Sequence, residues 1–190
     1  LSASTAGTYT VSYLTSSNTC AVTGTFDVTI TDDEDGTFTY AATEYCKSGS
    51  NPTPTVTGTT GGTFSSTAGL SINASTGEID IAASTAGTYT VSYLTSSNLC
   101  AVTGTFDVTI TDDEDGTFTY ASAEYCVSGS DPTPTISGTT GGTFSSTTGL
   151  SINASTGEID LSASTAGTYT VSYLTSSNLC AVTGTFDVTI

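Results

Sequence analysis

Apolar residues alternate with Thr, Ser and Asp along most of this chain, with a period of two. In "GTYTVSYL" (87–94), Tyr89, Val91 and Tyr93 fall on one side. In "GTFDVTI" (104–110), Phe106, Val108 and Ile110 fall inward while Thr105, Asp107 and Thr109 fall outward. Such alternation predicts half-buried strands. "LSINASTGEIDI" (70–81) puts Leu70 and Ile72 on one face, turns through Ser75, Thr76 and Gly77, and returns with Ile79 and Ile81, a hairpin signature. Upstream, "GTFTYAATEYC" (36–46) alternates through Phe38 and Tyr40, and "PTPTVTG" (52–58) is short and Pro-limited like an edge strand. "GGTFSS" (61–66) follows a glycine break. About seven short strands per unit predict an all-β fold of tandem immunoglobulin-like β-sandwich repeats.

The unit recurs at an offset of about 80 residues. "ASTAGTYTVSYLTSSN" begins at 3, 83 and 163, "AVTGTFDVTI" at 21, 101 and 181, and "SINASTGEID" at 71 and 151. The last strand ends one unit at Ile110 and another at Ile190, which frames repeats at 31–110 and 111–190. Residues 1–30 are then the last two strands of a preceding unit. Alone they would expose Tyr9, Val11, Tyr13, Phe26, Val28 and Ile30, and two strands are not independently stable. The expectation is that they belong to a longer fibre or are completed by another chain. Aligning 31–110 with 111–190 leaves nine mostly mild differences, among them Val56 against Ile136 and Ile81 against Leu161. Copies this alike suit length or multivalency better than one specialised pocket.

Charge narrows the partners. The chain has a single Lys (Lys47), no Arg, no His and a formal net charge of -17, so nucleic acid phosphates and anionic membranes are excluded. No apolar run is long enough for a membrane span, and Leu1 does not open a secretory leader. The acids concentrate at the unit boundaries: Asp32, Asp33, Glu34 and Asp35, then Asp112, Asp113, Glu114 and Asp115. Hard oxygen ligands crowded at a linker suit calcium, which could draw ligands from both units and fix their angle. An EF-hand is excluded, because Thr31 and Ala42 stand at its first and twelfth positions. The same acids also read as a solvated, self-repelling linker. Glu78, Asp80 and Asp107 are further candidate ligands that nothing in the sequence brings together.

Five cysteines stand at 20, 46, 100, 126 and 180. The repeat frame pairs Cys46 with Cys100 and Cys126 with Cys180, and leaves the partner of Cys20 upstream. The rival pairing is Cys20 with Cys46 and Cys100 with Cys126. Pairs within a unit are preferred because a small sandwich of polar residues buries little apolar area. Closing a loop of about 54 residues would contribute roughly 4 kcal/mol in the chain-entropy model. Disulfides imply an oxidising, extracellular location. Buried free thiols are the alternative; Cys-x-x-Cys metal or redox spacing is absent.

Catalysis has little support. Glu78 and Asp80 are neighbours on one strand, which does not make the cleft a glycosidase pair needs. Without His, and with Lys47 replaced by Val127 in the next unit, no general base or Lys–Asn isopeptide staple recurs. The chain is read as a non-enzyme. Tyr89 and Tyr169, each after "AGT", are predicted to form tyrosine corners. Tyr45 and Tyr125 could stack a sugar or pack beside their cysteines. Asn73 and Asn153 fit the N-glycosylation pattern.

"GLSINASTGEID" followed by "AGTYTVSY" resembles the signature of bacterial immunoglobulin-like and cadherin-like surface repeats, over Gly69 to Tyr93 and Gly149 to Tyr173. The wider "YCKSGSNPTPTVTGTTGGTFSSTAGLSI" is similar to tandem repeats of very large surface adhesins of gliding Bacteroidota. That resemblance implies a secreted protein of the bacterial outer surface, and cadherin-like repeats use calcium at their junctions. Together these features predict the stalk of an adhesin or extracellular filament. Its partners would be neighbouring repeats of the same chain and other copies of the filament. Two other classes remain open: repeated glycan- or protein-binding modules acting by avidity, and accessory domains of a secreted hydrolase.

Overall fold

The alternating runs form strands, and the described residues contain no helix. The computed structural model describes residues 4–16, 19–97, 99–176 and 179–190. Residues 1–3 and 17–18 of the expected 1–30 segment therefore lie outside them. At the start, β1 (Gly7–Leu14) and β2 (Thr23–Ile30) make an antiparallel hairpin with Gly7 opposite Ile30.

Eight strands follow: β3 (Phe38–Thr39), β4 (Glu44–Cys46), β5 (Thr55–Val56), β6 (Thr63–Ser66), β7 (Ser71–Ile72), β8 (Ile79–Asp80), β9 (Gly87–Leu94) and β10 (Thr103–Thr111). One sheet has the order β4-β10-β9-β6, and the pairs β3–β5 and β7–β8 supply the remaining strands of the sandwich. The second unit repeats this with β11 (Phe118–Thr119), β12 (Thr135–Ile136), β13 (Thr143–Ser146), β14 (Ser151–Ile152), β15 (Ile159–Asp160), β16 (Thr168–Leu174) and β17 (Thr183–Thr189). There the ladder of β4 shrinks to a parallel bridge between Glu124 and Thr189.

Each unit has its own core, the first drawn from Phe38 to Ile110 and the second from Phe118 to Ile190. Val91, Val108, Ile79 and Ile81 are fully buried, as their alternation predicts, whereas Phe106 is only partly covered. The aromatic centre is tight: Phe64 and Tyr93 have ring centroids 4.5 Å apart, and Phe38 meets Phe64 edge-on at 5.4 Å. Each such pair adds about 0.5–1.5 kcal/mol beyond area burial. The tyrosine corners form, with the Tyr89 hydroxyl donating to the Thr85 carbonyl at 2.8 Å and Tyr169 to Thr165 at 2.9 Å. Tyr40 donates to the Gly77 carbonyl at 2.5 Å, and burial pushes its phenol above the usual tyrosine range, so the donor stays protonated.

The expected first strand (36–46) divides in two. After Phe38 and Tyr40 have entered the core, the Tyr45 hydroxyl accepts the Ala42 amide at 3.0 Å and closes a corner. Beyond that corner β4 leaves the β3–β5 pair and runs parallel to the end of β10. This gives the first unit eight strands instead of seven and moves Cys46 to the place where the chain leaves the unit.

What the front strands contribute is visible in the lone hairpin. Tyr13 is 71% exposed, while Tyr93, the same position one repeat on, is 1% exposed. Gly24, Gly104 and Gly184 share a repeat position in the same way. A methyl at Gly104 or Gly184 would run into the backbone of Gly36 or Gly116, whereas Gly24 faces open space. Gly104→Ala and Gly184→Ala should each cost about 1–3 kcal/mol by overpacking, and Gly24→Ala should be neutral. Calorimetry of the full chain checks this; an unshifted transition for Gly104→Ala would contradict the glycine contact.

Candidate functional site

The distinctive chemistry collects where one unit meets the next. β10 continues to Thr111, which stands opposite Cys46 in the β10–β4 ladder, and the Lys47 amide donates to the Thr111 carbonyl at 3.0 Å. Cys46 thus marks the exit end of the first unit. The turn between β16 and β17 is at the entry end of the second unit and carries Cys180. The linker between them docks on that turn, the Glu114 amide donating to the Cys180 carbonyl at 3.0 Å. From the other side the Ser48 hydroxyl donates to Asp113 Oδ1 at 2.8 Å.

This stacking brings Cys180 onto Cys46, and the two form a disulfide with Cα atoms 5.4 Å apart. The pairing expected from the repeat frame is corrected: Cys46 does not join Cys100, and Cys126 does not join Cys180. The nine residues of β10 separate the two ends of a unit by about 27 Å at 3.4 Å per residue, so cysteines at opposite ends cannot meet. The rival pairs, Cys20 with Cys46 and Cys100 with Cys126, would have to span more than a unit and fail for the same reason. The observed bond closes a loop with a sequence separation of 134 residues. In the chain-entropy model that contributes about 5 kcal/mol.

Each acidic run is anchored at the entry end of the unit that follows it. Glu34 Oε2 accepts the Ser97 amide at 2.9 Å, and the Glu34 amide donates to the Cys100 carbonyl at 3.0 Å. Asp35 Oδ1 accepts both the hydroxyl and the amide of Thr37, and its backbone pairs with Thr59. Asp115 repeats this with Thr117 and Thr139. The Thr37 and Thr117 hydroxyls, then their amides, hold the two carboxyls below the usual aspartate range.

Calcium needs six to eight oxygen ligands converging at about 2.4 Å. Among the described residues, the one group of three candidate ligand atoms within 4.8 Å is Cys46, Asp113 and Cys180, two of which are the bonded sulfurs. Asp32, Asp33, Glu34 and Asp35, like Asp112, Glu114 and Asp115, join no such group. Among the described residues, no three carboxylates gather at either acidic run. The sequence reading missed Thr37, Thr59, Ser48 and Ser97 as their partners, although Asp-Gly-Thr is itself the signal of a side chain capping its own turn.

The other candidates have structural duties. Glu78 and Asp80 line a shallow hollow with Asn51, Ser71 and Asn73, and Asp80 Oδ1 accepts the Ala83 amide at 3.1 Å. Asn73 Oδ1 closes the β7–β8 turn by accepting the Ser75 and Thr76 amides. Tyr45 packs against the first core. The Lys47 ammonium donates to the Ile81, Ala82 and Ser84 carbonyls.

No protein-family model matches the chain, and no curated protein does. Among solved structures it is similar to a SusE-like surface-located polysaccharide-binding protein from the Bacteroides thetaiotaomicron heparin utilisation locus. That likeness has 15% identity and a TM-score of 0.34, and covers 95% of this chain and 42% of that one. It is also similar to mouse cadherin-23 EC22-24, with 14% identity, a TM-score of 0.37, and 95% and 72% coverage. For protocadherin gamma C5 EC1-3 the values are 12%, 0.28, and 99% and 78%. The chain spans less than half of the length of the first of these proteins. Likeness at this level carries nothing about what the chain binds.

The depressed aspartates set an acid limit. Their folded pKa lies below the unfolded one, so their contribution is complete above about pH 4 and is lost as pH falls below it. Melting curves from about pH 5 to 2 should show a shallower acid decline for the double variant Asp35→Asn, Asp115→Asn than for the native chain. Identical slopes would contradict the assignment.

Proposed function

We propose that these units are stalk segments of a large extracellular protein of a bacterial surface, an adhesin or filament, whose task is reach and mechanical integrity. The observation that carries the reading is the Cys46–Cys180 bond, which joins one unit to the next instead of closing either. A covalent bond across a junction fixes the relation of two sandwiches; it does nothing for a pocket within one. An oxidising compartment is where such a bond persists. The resemblance to surface repeats of gliding Bacteroidota supports the same location.

Rigidity on this reading comes from the disulfide and the docked linker, and calcium is not required. The net charge of -17 keeps neighbouring stalks apart and soluble. The partners are neighbouring repeats of the same chain. An enzymatic role is not part of the proposal.

Small-angle scattering of the full chain tests this, comparing the oxidised form with the reduced, thiol-blocked form. The oxidised chain should give the narrower distribution of long interatomic distances. Calcium and chelator should change neither form beyond the effect of equal ionic strength. Equal distributions before and after reduction would remove the disulfide as the source of rigidity.

A further inference from the structure

We propose that the junction bond recurs at every boundary of an array of three or more such units, so that its covalent loops overlap and the array cannot be stretched by unfolding. This deepens the stalk reading but rests on the observed bond and the repeat register, not on any adhesive role.

Two thiols occupy the two halves of the same bond at other junctions. Cys126 is exposed and held as Cys46 is: Glu124 bridges Thr189, the Tyr125 amide donates to the Thr189 carbonyl at 3.0 Å, and the Thr189 amide to Ala123 at 2.8 Å. In the first unit Glu44 stands opposite Thr109 in the same parallel register, and Thr109 donates to Thr43 at 2.8 Å. Cys100 repeats Cys180, and its Sγ lies 3.9 Å from the Thr31 carbonyl. Thr31 is the counterpart of Thr111, the residue opposite Cys46. Cys100 therefore already sits beside the position that a preceding unit's exit cysteine would take. Cys126 takes the turn cysteine of the following unit, and Cys100 the exit cysteine of the preceding one. Each bond forms by thiol–disulfide exchange: two thiols give up two protons and two electrons to a disulfide-bearing oxidant, which leaves as a dithiol.

The mechanical consequence follows from spacing. With a separation of 134 residues and a repeat of 80, consecutive loops overlap. Tension entering at a turn cysteine runs along the backbone to the next exit cysteine, as from Cys100 to Cys126, then crosses a disulfide to the turn cysteine two units on. About 26 residues per two units carry the load, and fully stretched they span roughly 90 Å, against roughly 550 Å for the 160 residues they replace. The stretch from Cys100 to Cys126 already runs from the entry end of one unit to the exit end of the next in the folded chain. Unfolding can add little length.

The test is residues 1–190 followed by a second copy of 111–190 in which that copy's own counterpart of Cys126 is replaced by Ser, folded in a glutathione redox buffer and digested without reduction. The Cys126 peptide is distinguishable by Val127, the Cys46 peptide by Lys47. The turn cysteines share local sequence, so single Cys→Ser variants identify each partner by mass spectrometry. The Cys126 cross-link should vanish when the appended copy's turn cysteine is replaced, and persist in Cys100→Ser and Cys180→Ser. Cys126 found on Cys100 or Cys180, or left as a thiol, would overturn the recurrence. If Cys46 remains on Cys180 in that case, the stalk reading survives; if that bond is also missing, the stalk reading fails with it.

Discussion

Everything at the junction depends on the seating of one unit's β16–β17 turn against the exit end of the unit before it. Two contacts at the centre of that seat are the Glu114 amide on the Cys180 carbonyl and the bond from Cys180 to Cys46, with Ser48 on Asp113 beside them. Remove the first and the linker loses its backbone tie to the turn. Remove the second and two sandwiches are left joined by a few residues of self-repelling chain. The length of β10 makes the arrangement obligatory, because it holds the cysteines of one unit at opposite ends, where only a neighbouring unit can reach each of them.

Four adjacent acids would repel in a free linker, but Asp35 turns its carboxylate onto Thr37 and Glu34 onto Ser97. The charges are thereby spread across both sides of the linker, and each anchored carboxylate accepts hydrogen bonds from its own unit. Asp113 reaches the other way, to Ser48 of the preceding unit. The linker is a docked strap, and its charge still faces solvent at the surface of a strongly anionic chain.

Much of the sandwich was legible from alternation alone. Tyr89, Val91 and Tyr93 and then Val108 and Ile110 are buried as their spacing requires, and the tyrosine corners stand where "AGTY" places them. The division of 36–46 into two strands was not legible, because the pattern shows only that alternation lapses between Tyr40 and Tyr45, not which sheet receives β4. The disulfide was missed for a related reason. Sequence spacing fixes which cysteines are equivalent, but pairing depends on which end of the sandwich each occupies, and that is set by the parallel seating of β4 on β10. Asn51 and Asp131 show the tolerance of such positions: either side chain supplies the oxygen that accepts the amide of residue 81 or 161.

Stretching a single oxidised chain between its two ends would test the junction bond most directly. With Cys46 joined to Cys180, 134 residues are shielded from force, so about 56 remain and the chain should stop at roughly 190 Å, extending to roughly 650 Å only after reduction. An oxidised limit near 280 Å would mean that each unit closes its own loop, and one near 650 Å that no bond forms; either would contradict a stalk stapled unit to unit.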